Sequence, residues 1–355
     1  MARIQVLETA DRASLAPFET IIDVRSPGEF ALDHVPGAIN LPVLDDAERA
    51  RVGAIYVQDS PFLARRIGAA HVARNIARHL ETALADKPPA FSPLVYCWRG
   101  GQRSESMATI LSRVGWRTTI LAGGYRTYRR GVQARLYEAP CALRAVLLDG
   151  NTGCGKTEIL NRLPARGLQV LDLEDLAGHR GSLFGGLAER PQPSQKMFES
   201  RLLGALDRLD PSRPVVVEAE SSKIGDLMIP PSLWQAMQSA PRIELDAPRQ
   251  ERARYLVQAY GDIVADPEAL ETAFRRLPVF PAQRRLEDWR RLSREGKFET
   301  LAEALIELHY DPAYNRARRK AAHPLLATIA LTTLDEPAQA GAVDLVVRAI
   351  ASVTT

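Results

Sequence analysis

Long apolar runs are missing from this sequence, and with them one class of function. The most apolar late stretch, residues 325–334, falls far short of the roughly 20 residues a membrane helix needs. The opening MARIQVLETADRASL carries acids and no apolar core, so it is not expected to be a secretory signal. Cysteine is scarce. Cys97, Cys141 and Cys154 leave one over in any pairing, which excludes a disulfide scaffold and suits a reducing cytoplasm. Internal repeats and low-complexity tracts are absent too. Net charge is only +3, so the bulk balance points to no polyanionic partner. What is left is the composition of a globular protein, 46% hydrophobic and 25% charged, too long for one ordinary core.

The pattern along the chain is strand, turn, helix, repeated. ETIIDV (19–24) and LVYC (94–97) read as buried strands, and TTIL (118–121) as a third, closed by Gly123 and Gly124. Residues 104–114 place Met107, Ile110, Leu111 and Val114 at helical spacing. Residues 125–138 look helical, APC (139–141) reads as a joint, and RAVLLDG (144–150) opens a second unit. Further strands are expected at 168–173 and 214–220, and a largely helical, Arg- and Glu-rich region over 249–310. Alternating strands and helices predict parallel sheets in an α/β protein, with a boundary near residue 140.

Cys97 ends a strand and is followed by WRGGQRS before a helix. Loop N–H groups and a positive helix end aimed at the sulfur would favour a thiolate there. Gly100 and Gly101 let the backbone curl, and Arg99 and Arg103 add positive charge for anion stabilisation. Eight arginines and one acid, Glu105, occupy residues 97–135. That strip either holds a polyanion or is simply a solvated face, and charge alone does not choose between them.

GNTGCGKT (150–157) fits G-x-x-x-x-G-K-[ST] directly after a strand and before a helix. Gly150, Gly153 and Gly155 shape the loop, its N–H groups cradle phosphate, Lys156 neutralises it, and Thr157 is a candidate magnesium ligand. Asp172, Glu174, Glu218 and Glu220 follow further strands; each would order magnesium or water, or merely cap a helix. HRGSLFGG (179–186) is either a lip for a phosphate ligand, through His179, Arg180 and Ser182, or a plain surface loop. Arg252 and Arg254 stand where some P-loop kinases carry lid arginines.

IIDVRSPGEFALDHVPGAINLP (21–42), CWRGGQRS and GWRTTILAGGYRTYRR (115–130) together resemble a rhodanese domain. By that resemblance Cys97 matches the sulfur-carrying cysteine, Asp23 and Arg25 are structural or loop-ordering residues, and His34 is a turn residue with no chemical role. LPVLDDAERARVGAIY (41–56), DLEDLAGHRGSLFG (172–185), EAESSKIG (218–225) and LHYDPAY (308–314) extend the likeness. The whole chain resembles the tRNA 2-selenouridine synthase family. The resemblance implies a rhodanese-like parallel-sheet domain over 1–140. A P-loop NTPase-like α/β domain with a largely helical C-terminal part follows over 141–355. It further implies a cytoplasmic enzyme acting on the wobble 2-thiouridine of tRNAs for Lys, Glu and Gln. Geranyl diphosphate first alkylates the sulfur, then selenophosphate supplies selenium, which Cys97 carries as a selenenylsulfide-type intermediate. No covalent cofactor is implied, and a transient contact with the enzyme that makes selenophosphate is a candidate. Arg126, Arg129 and Arg130, with Arg284 and Arg285, are candidates to hold tRNA; Trp98 or Tyr125 to stack an extruded base. Tyr96 departs from members that carry a second cysteine there, so Cys97 has no neighbouring resolving thiol. The rivals are an ATP-using sulfurtransferase and a non-catalytic P-loop module.

Overall fold

A computed structural model of the chain describes residues 4–181, 190–275, 283–320 and 323–354. Cα packing divides the chain into two units, Met1–Ala139 with Pro193–Asp207, and Pro140–Gln192 with Arg208–Thr355. One boundary near residue 140 therefore describes only the first crossing. The helix Gln195–Leu206 belongs with the first unit because it buries Phe198 and Leu202 and offers Glu199 to Arg129 and to the Tyr137 hydroxyl there.

The first unit holds a five-stranded parallel sheet. Its strands are β1 (Gln5–Leu7), β2 (Ile21–Asp23), β3 (Ile39–Asn40), β4 (Leu94–Tyr96) and β5 (Thr119–Leu121), in the order β1-β5-β4-β2-β3. β2, β4 and β5 are buried at every position, as expected of parallel strands covered on both faces. The helix Gln102–Val114 lays Met107, Ala108 and Leu111 on the sheet and stops at Gly115, whose φ of +115° suits glycine. Ile22, Val24, Val95, Met107, Leu111 and Trp116 share one core. The helix expected over 125–138 is α-helical over Tyr125–Gln133 and widens into a π-turn over Ala134–Glu138. Between β3 and β4 the chain inserts a helical hairpin, Asp46–Gln58 and Pro61–Glu81. β4 is central, and its connections and those of β2 run to opposite sides, so a crevice opens at their carboxyl ends.

The second unit repeats the principle with β6 (Ala145–Gly150), β7 (Gln169–Leu171) and β8 (Val215–Glu218). A two-stranded ribbon, β9 (Lys223–Ile224) and β10 (Leu227–Met228), follows. β11 (Arg242–Asp246) and β12 (Leu325–Ala330) complete the main sheet, in the order β12-β11-β6-β8-β7 with every pairing parallel. The helix Glu336–Thr354 covers it, adding Val343, Val346 and Ile350 to Val146, Leu148, Ile243 and Leu245. Short helices between Arg249 and Lys320 form a second apolar cluster around Leu270, Phe274, Trp289, Leu301 and Leu305. No helix among the described residues is long and apolar enough to cross a membrane.

Candidate active sites

Cys97 sits buried at the end of β4, in the crevice of the first unit. The loop that follows is held down by a pair of glycines after β5. A Cβ on Gly124 would fall 2.2 Å from the Cys97 carbonyl oxygen, and one on Gly100 would fall 2.8 Å from the Leu121 oxygen. The Tyr125 amide donates to that same Cys97 oxygen at 2.8 Å. Only glycine permits this approach. The Ser104 hydroxyl reaches the Cys97 sulfur at 3.2 Å, a partner sequence reasoning did not single out. Ser104 lies one turn into the helix and faces inward, so the helical period alone would have found it.

The two candidate anion-stabilising arginines part company. Arg99 is exposed on the loop, where it can meet a ligand. Arg103 is instead clasped by Glu29 at 2.9 Å, which Arg49 also engages at 2.8 Å. Those two guanidiniums hold the Glu29 carboxyl below its ordinary range against the opposing effect of burial. Behind the loop lies a buried polar network. Arg25 is fully buried, forks onto Asp23 with its shortest contact at 2.6 Å, and donates to the Asp33 carbonyl. Its guanidinium carbon lies 4.1 Å from the Tyr125 ring centroid. The Tyr125 hydroxyl donates to Asp33 at 2.6 Å, and burial raises the Asp33 carboxyl above its usual range. Tyr96 is buried too, its hydroxyl accepting from the Val35 amide at 3.1 Å. Asp23 and Arg25 thus form a buried pair against the Trp98 and Tyr125 rings, and the Tyr125 ring is itself buried. Trp98 remains half-exposed, 5.2 Å from Tyr125 between centroids.

The arginine strip is likewise divided. Arg129 is engaged by Glu199 and Arg135 by Asp207. Arg126 and Arg130 are exposed, as are Arg284 and Arg285 in the second unit.

In the second unit, β6 runs into the phosphate loop and the helix Lys156–Arg162 begins directly after it. Gly153 and Gly155 take φ of +88° and +72°, and a Cβ on Gly153 would meet the Arg252 oxygen at 2.9 Å. The Lys156 ammonium folds back on the Gly150 carbonyl at 2.8 Å and lies 5.7 Å from the Tyr314 ring centroid. Burial opposes its charge, but Tyr314, Glu220 and Glu174 raise its pKa on balance. Arg252 is buried and bidentate on Asp311, at 2.9 and 2.7 Å, and donates to the Thr152 carbonyl. Arg254 is exposed and pairs with Glu251. The first fastens the loop from behind, and the second faces solvent.

The acids converge on Thr157. Its hydroxyl lies 3.3 Å from Glu174 Oε2 and 3.2 Å from Glu218 Oε1. Burial and the charge of Glu220 push Glu174 up to about 8, and burial with Glu218 pushes Glu220 up to about 7. Glu218, at the end of β8, is likewise raised by burial and Glu174. Asp172 caps the helix Leu173–Ala177 by accepting from the Asp175 amide, a structural post. His179 Nδ1 accepts from the Gly181 amide at 3.1 Å. Ser182 lies outside the described residues.

A cavity of about 230 Å³ opens over the loop, walled by Gly153, Lys156, Thr157, Glu174, Arg180 and Tyr260. The Arg180 guanidinium carbon lies 5.0 Å from the Tyr260 ring centroid, so the lip contributes a cation at the rim. A second, apolar hollow adjoins it and shares Thr152, Leu256 and Tyr260 with it. Its other walls include Ile263, Phe298, Leu301 and Leu305. No sequence signal pointed to this hollow, because its walls come from several short helices far apart in the chain.

Residues 6–130 match the family described as rhodanese-like domain, and residues 143–273 match the tRNA 2-selenouridine synthase AAA domain. The chain is 38% identical over 245 residues to a tRNA 2-selenouridine synthase of Chromohalobacter salexigens, covering 68% of this chain and 65% of that protein. It is 34% identical over 247 residues to one of Nitrosomonas europaea, covering 68% of this chain and 63% of the relative. Identity to one of Shewanella denitrificans is 34% over 266 residues, covering 73% of this chain and 70% of the relative. The chain thus spans just under two thirds of the first two relatives.

Proposed function

Because the chain belongs to the tRNA 2-selenouridine synthase family, we propose that it modifies tRNA, replacing the sulfur of a wobble 2-thiouridine with selenium. The observation that carries the reading is the apolar hollow abutting the phosphate loop. An anion cradle alone fits any phosphate ester, and adenine or guanine would want polar partners that this hollow's aliphatic and aromatic walls do not supply. A diphosphate ester of an apolar alcohol matches the chemistry of both halves, its chain entering a hollow of about 70 Å³ that is open to solvent, and geranyl diphosphate is that kind of molecule. The thiouridine sulfur forms a bond to the allylic carbon as the carbon–oxygen bond breaks, and the pair of electrons leaves with pyrophosphate. Lys156 and the loop amides stabilise the charge gathering on that leaving group. The Thr157 hydroxyl and neighbouring carboxylates form an oxygen-rich pocket that fits magnesium, a hard cation. Among the described residues, no three His, Cys, Asp or Glu side chains form a ready cage. The ion would therefore rest on Thr157, one carboxylate such as Glu218, and ligand phosphates. When bound, magnesium would neutralise phosphate charge.

Selenophosphate then supplies selenium: its selenium bonds to C2 of the base, the bond from C2 to the geranylated sulfur breaks so that geranylthiol leaves, and water takes the phosphoryl group as phosphate. We assign this step to the loop of Cys97. Arg99 would meet the selenophosphate anion, and Trp98, half-exposed beside the loop, would meet the base. The tRNAs in question are those for Lys, Glu and Gln. The reaction belongs in the cytoplasm, with the selenophosphate-producing enzyme as a transient partner. The test is mass spectrometry of thiolated tRNA incubated with geranyl diphosphate in the absence of nucleotide, and then with selenophosphate. A geranyl adduct followed by selenouridine is expected. A requirement for ATP, or selenium entry with no alkylated intermediate, would overturn the reading.

A further inference from the structure

The helical hairpin of the first unit takes part in neither site. Asp46–Gln58 has no buried residue, and Pro61–Glu81 buries only Ala64, Gly68 and Ile76. The two helices are nonetheless firmly joined. A Cβ on Gly68 would lie 3.4 Å from Val52, and Glu48 engages His71 at 2.6 Å and Asn75 at 2.7 Å. At the bend, Tyr56, Val57 and Phe62 stand in solvent at 54%, 82% and 69% of full exposure. A fold has no use for three large apolar side chains gathered there.

The outer face of Pro61–Glu81 is as distinctive. Arg66, Arg74 and Arg78 are exposed on it, separated by exposed Ala69, Ala70, Ala73 and Ala77. The helix carries a single acid, Glu81, at its last position. Among the described residues no ion pair engages Arg66, Arg74 or Arg78; Arg74 meets only His71, at 3.0 Å. Arg66 to Arg78 spans ~18 Å of helix at 1.5 Å per residue. Uncompensated arginines raise the local positive potential, and the alanines between them leave nothing taller than a methyl group in the way of an approaching chain.

We propose that this face binds the phosphate backbone of RNA, with Tyr56 and Phe62 at the bend stacking on unpaired bases. The proposal rests on the tRNA reading above and names the surface that would serve it. A helix lying on a membrane would carry its apolar residues as a stripe along its length. Here they are confined to the bend, and the face beyond is arginine and alanine.

The test measures binding of a 2-thiouridine-containing tRNA to the full chain across a series of salt concentrations. Replacing three phosphate contacts in Arg66→Glu, Arg74→Glu, Arg78→Glu should flatten the slope of log affinity against log salt by about 2. The corresponding triple lysine variant should keep it. Phe62→Ala should weaken binding by ~5- to 100-fold and leave the slope alone. Far-UV circular dichroism and a thermal melt serve as the check that each variant is folded, and a triple glutamine variant stands in if the charge-reversed one does not fold. A wild-type slope in the charge-reversed or glutamine triple would overturn this surface alone. A wild-type protein that shows no salt-dependent tRNA binding would overturn the tRNA reading beneath it.

Discussion

The Ser104 hydroxyl lies 3.2 Å from the Cys97 sulfur and 3.0 Å from the Gly101 carbonyl oxygen. A hydroxyl has one hydrogen, so it can serve the carbonyl while the sulfur is a thiol and turn to the sulfur when it carries charge. Ser104→Ala removes that choice and leaves a charged sulfur without the hydroxyl. A hydrogen bond to a charged acceptor contributes about 1.5–3 kcal/mol, so selenium transfer should slow by ~10- to 100-fold. Single-turnover assays on pre-geranylated tRNA would read this, and alkylation by geranyl diphosphate should be unchanged. Equal selenation rates in the variant and the parent would remove Ser104 from the chemistry.

Gly124 sets the shape of the same loop. With φ of +58° and a Cβ that would fall 2.2 Å from the Cys97 oxygen and 2.6 Å from the Gly100 amide nitrogen, Gly124→Ala must move the cysteine loop. Displacing a reacting group by an ångström costs ~100-fold, and selenation should drop at least that much. Gly37→Ala is the control: φ is +81°, but nothing lies within 4 Å of the added carbon. It should lose a little stability and no activity. Comparable losses in both variants would mean that strain, and not the close approach, is what matters.

Glu174 gives the second unit a pH dependence of definite sign. Its folded pKa, about 8, stands above the ordinary 4.5 because burial and Glu220 disfavour the carboxylate. The protonated form is therefore the one that favours the fold. That contribution is whole below about pH 4.5 and is lost as pH rises through 8. Thermal melts of the ligand-free protein should show a midpoint that falls across this window. Glu174→Gln, which cannot ionise, should flatten the fall and melt higher than the parent at pH 9. A variant that tracks the parent at every pH would place the titrating group elsewhere. Added magnesium should narrow the difference by favouring the carboxylate.

Much of this was legible in the sequence, where each signal was local. IIDV, LVYC and AVLLDG are continuous apolar runs, and parallel strands buried on both faces look like that. The glycines of GNTGCGKT announce positive φ by their spacing alone. β11 was not legible. Its Arg242 and Glu244 look like surface residues, yet Arg242 pairs with Asp149 and Glu244 with Arg318, so the charges are neutralised within the fold. The pairing of part of the arginine strip was hidden for the same reason. Arg103, Arg129 and Arg135 find their acids at Glu29, Glu199 and Asp207, at separations no local pattern reveals. The apolar hollow comes from Leu256, Ile263, Phe298 and Leu305, which only tertiary packing brings together.

That hollow allows head and tail recognition to be separated. Val264 is half-exposed and lines it, so Val264→Trp should fill the space a prenyl chain would take and leave the phosphate loop untouched. KM for geranyl diphosphate should rise ~10-fold or more, since each buried methylene contributes about 0.8 kcal/mol. Inhibition by inorganic pyrophosphate, which has no chain, should be unchanged. Lys156→Ala should do the converse, weakening pyrophosphate and geranyl diphosphate together because both need the same cation. If the tryptophan variant weakens pyrophosphate as well, the loop has been disturbed and the hollow is not a separate subsite. If it weakens neither, the prenyl chain lies somewhere else.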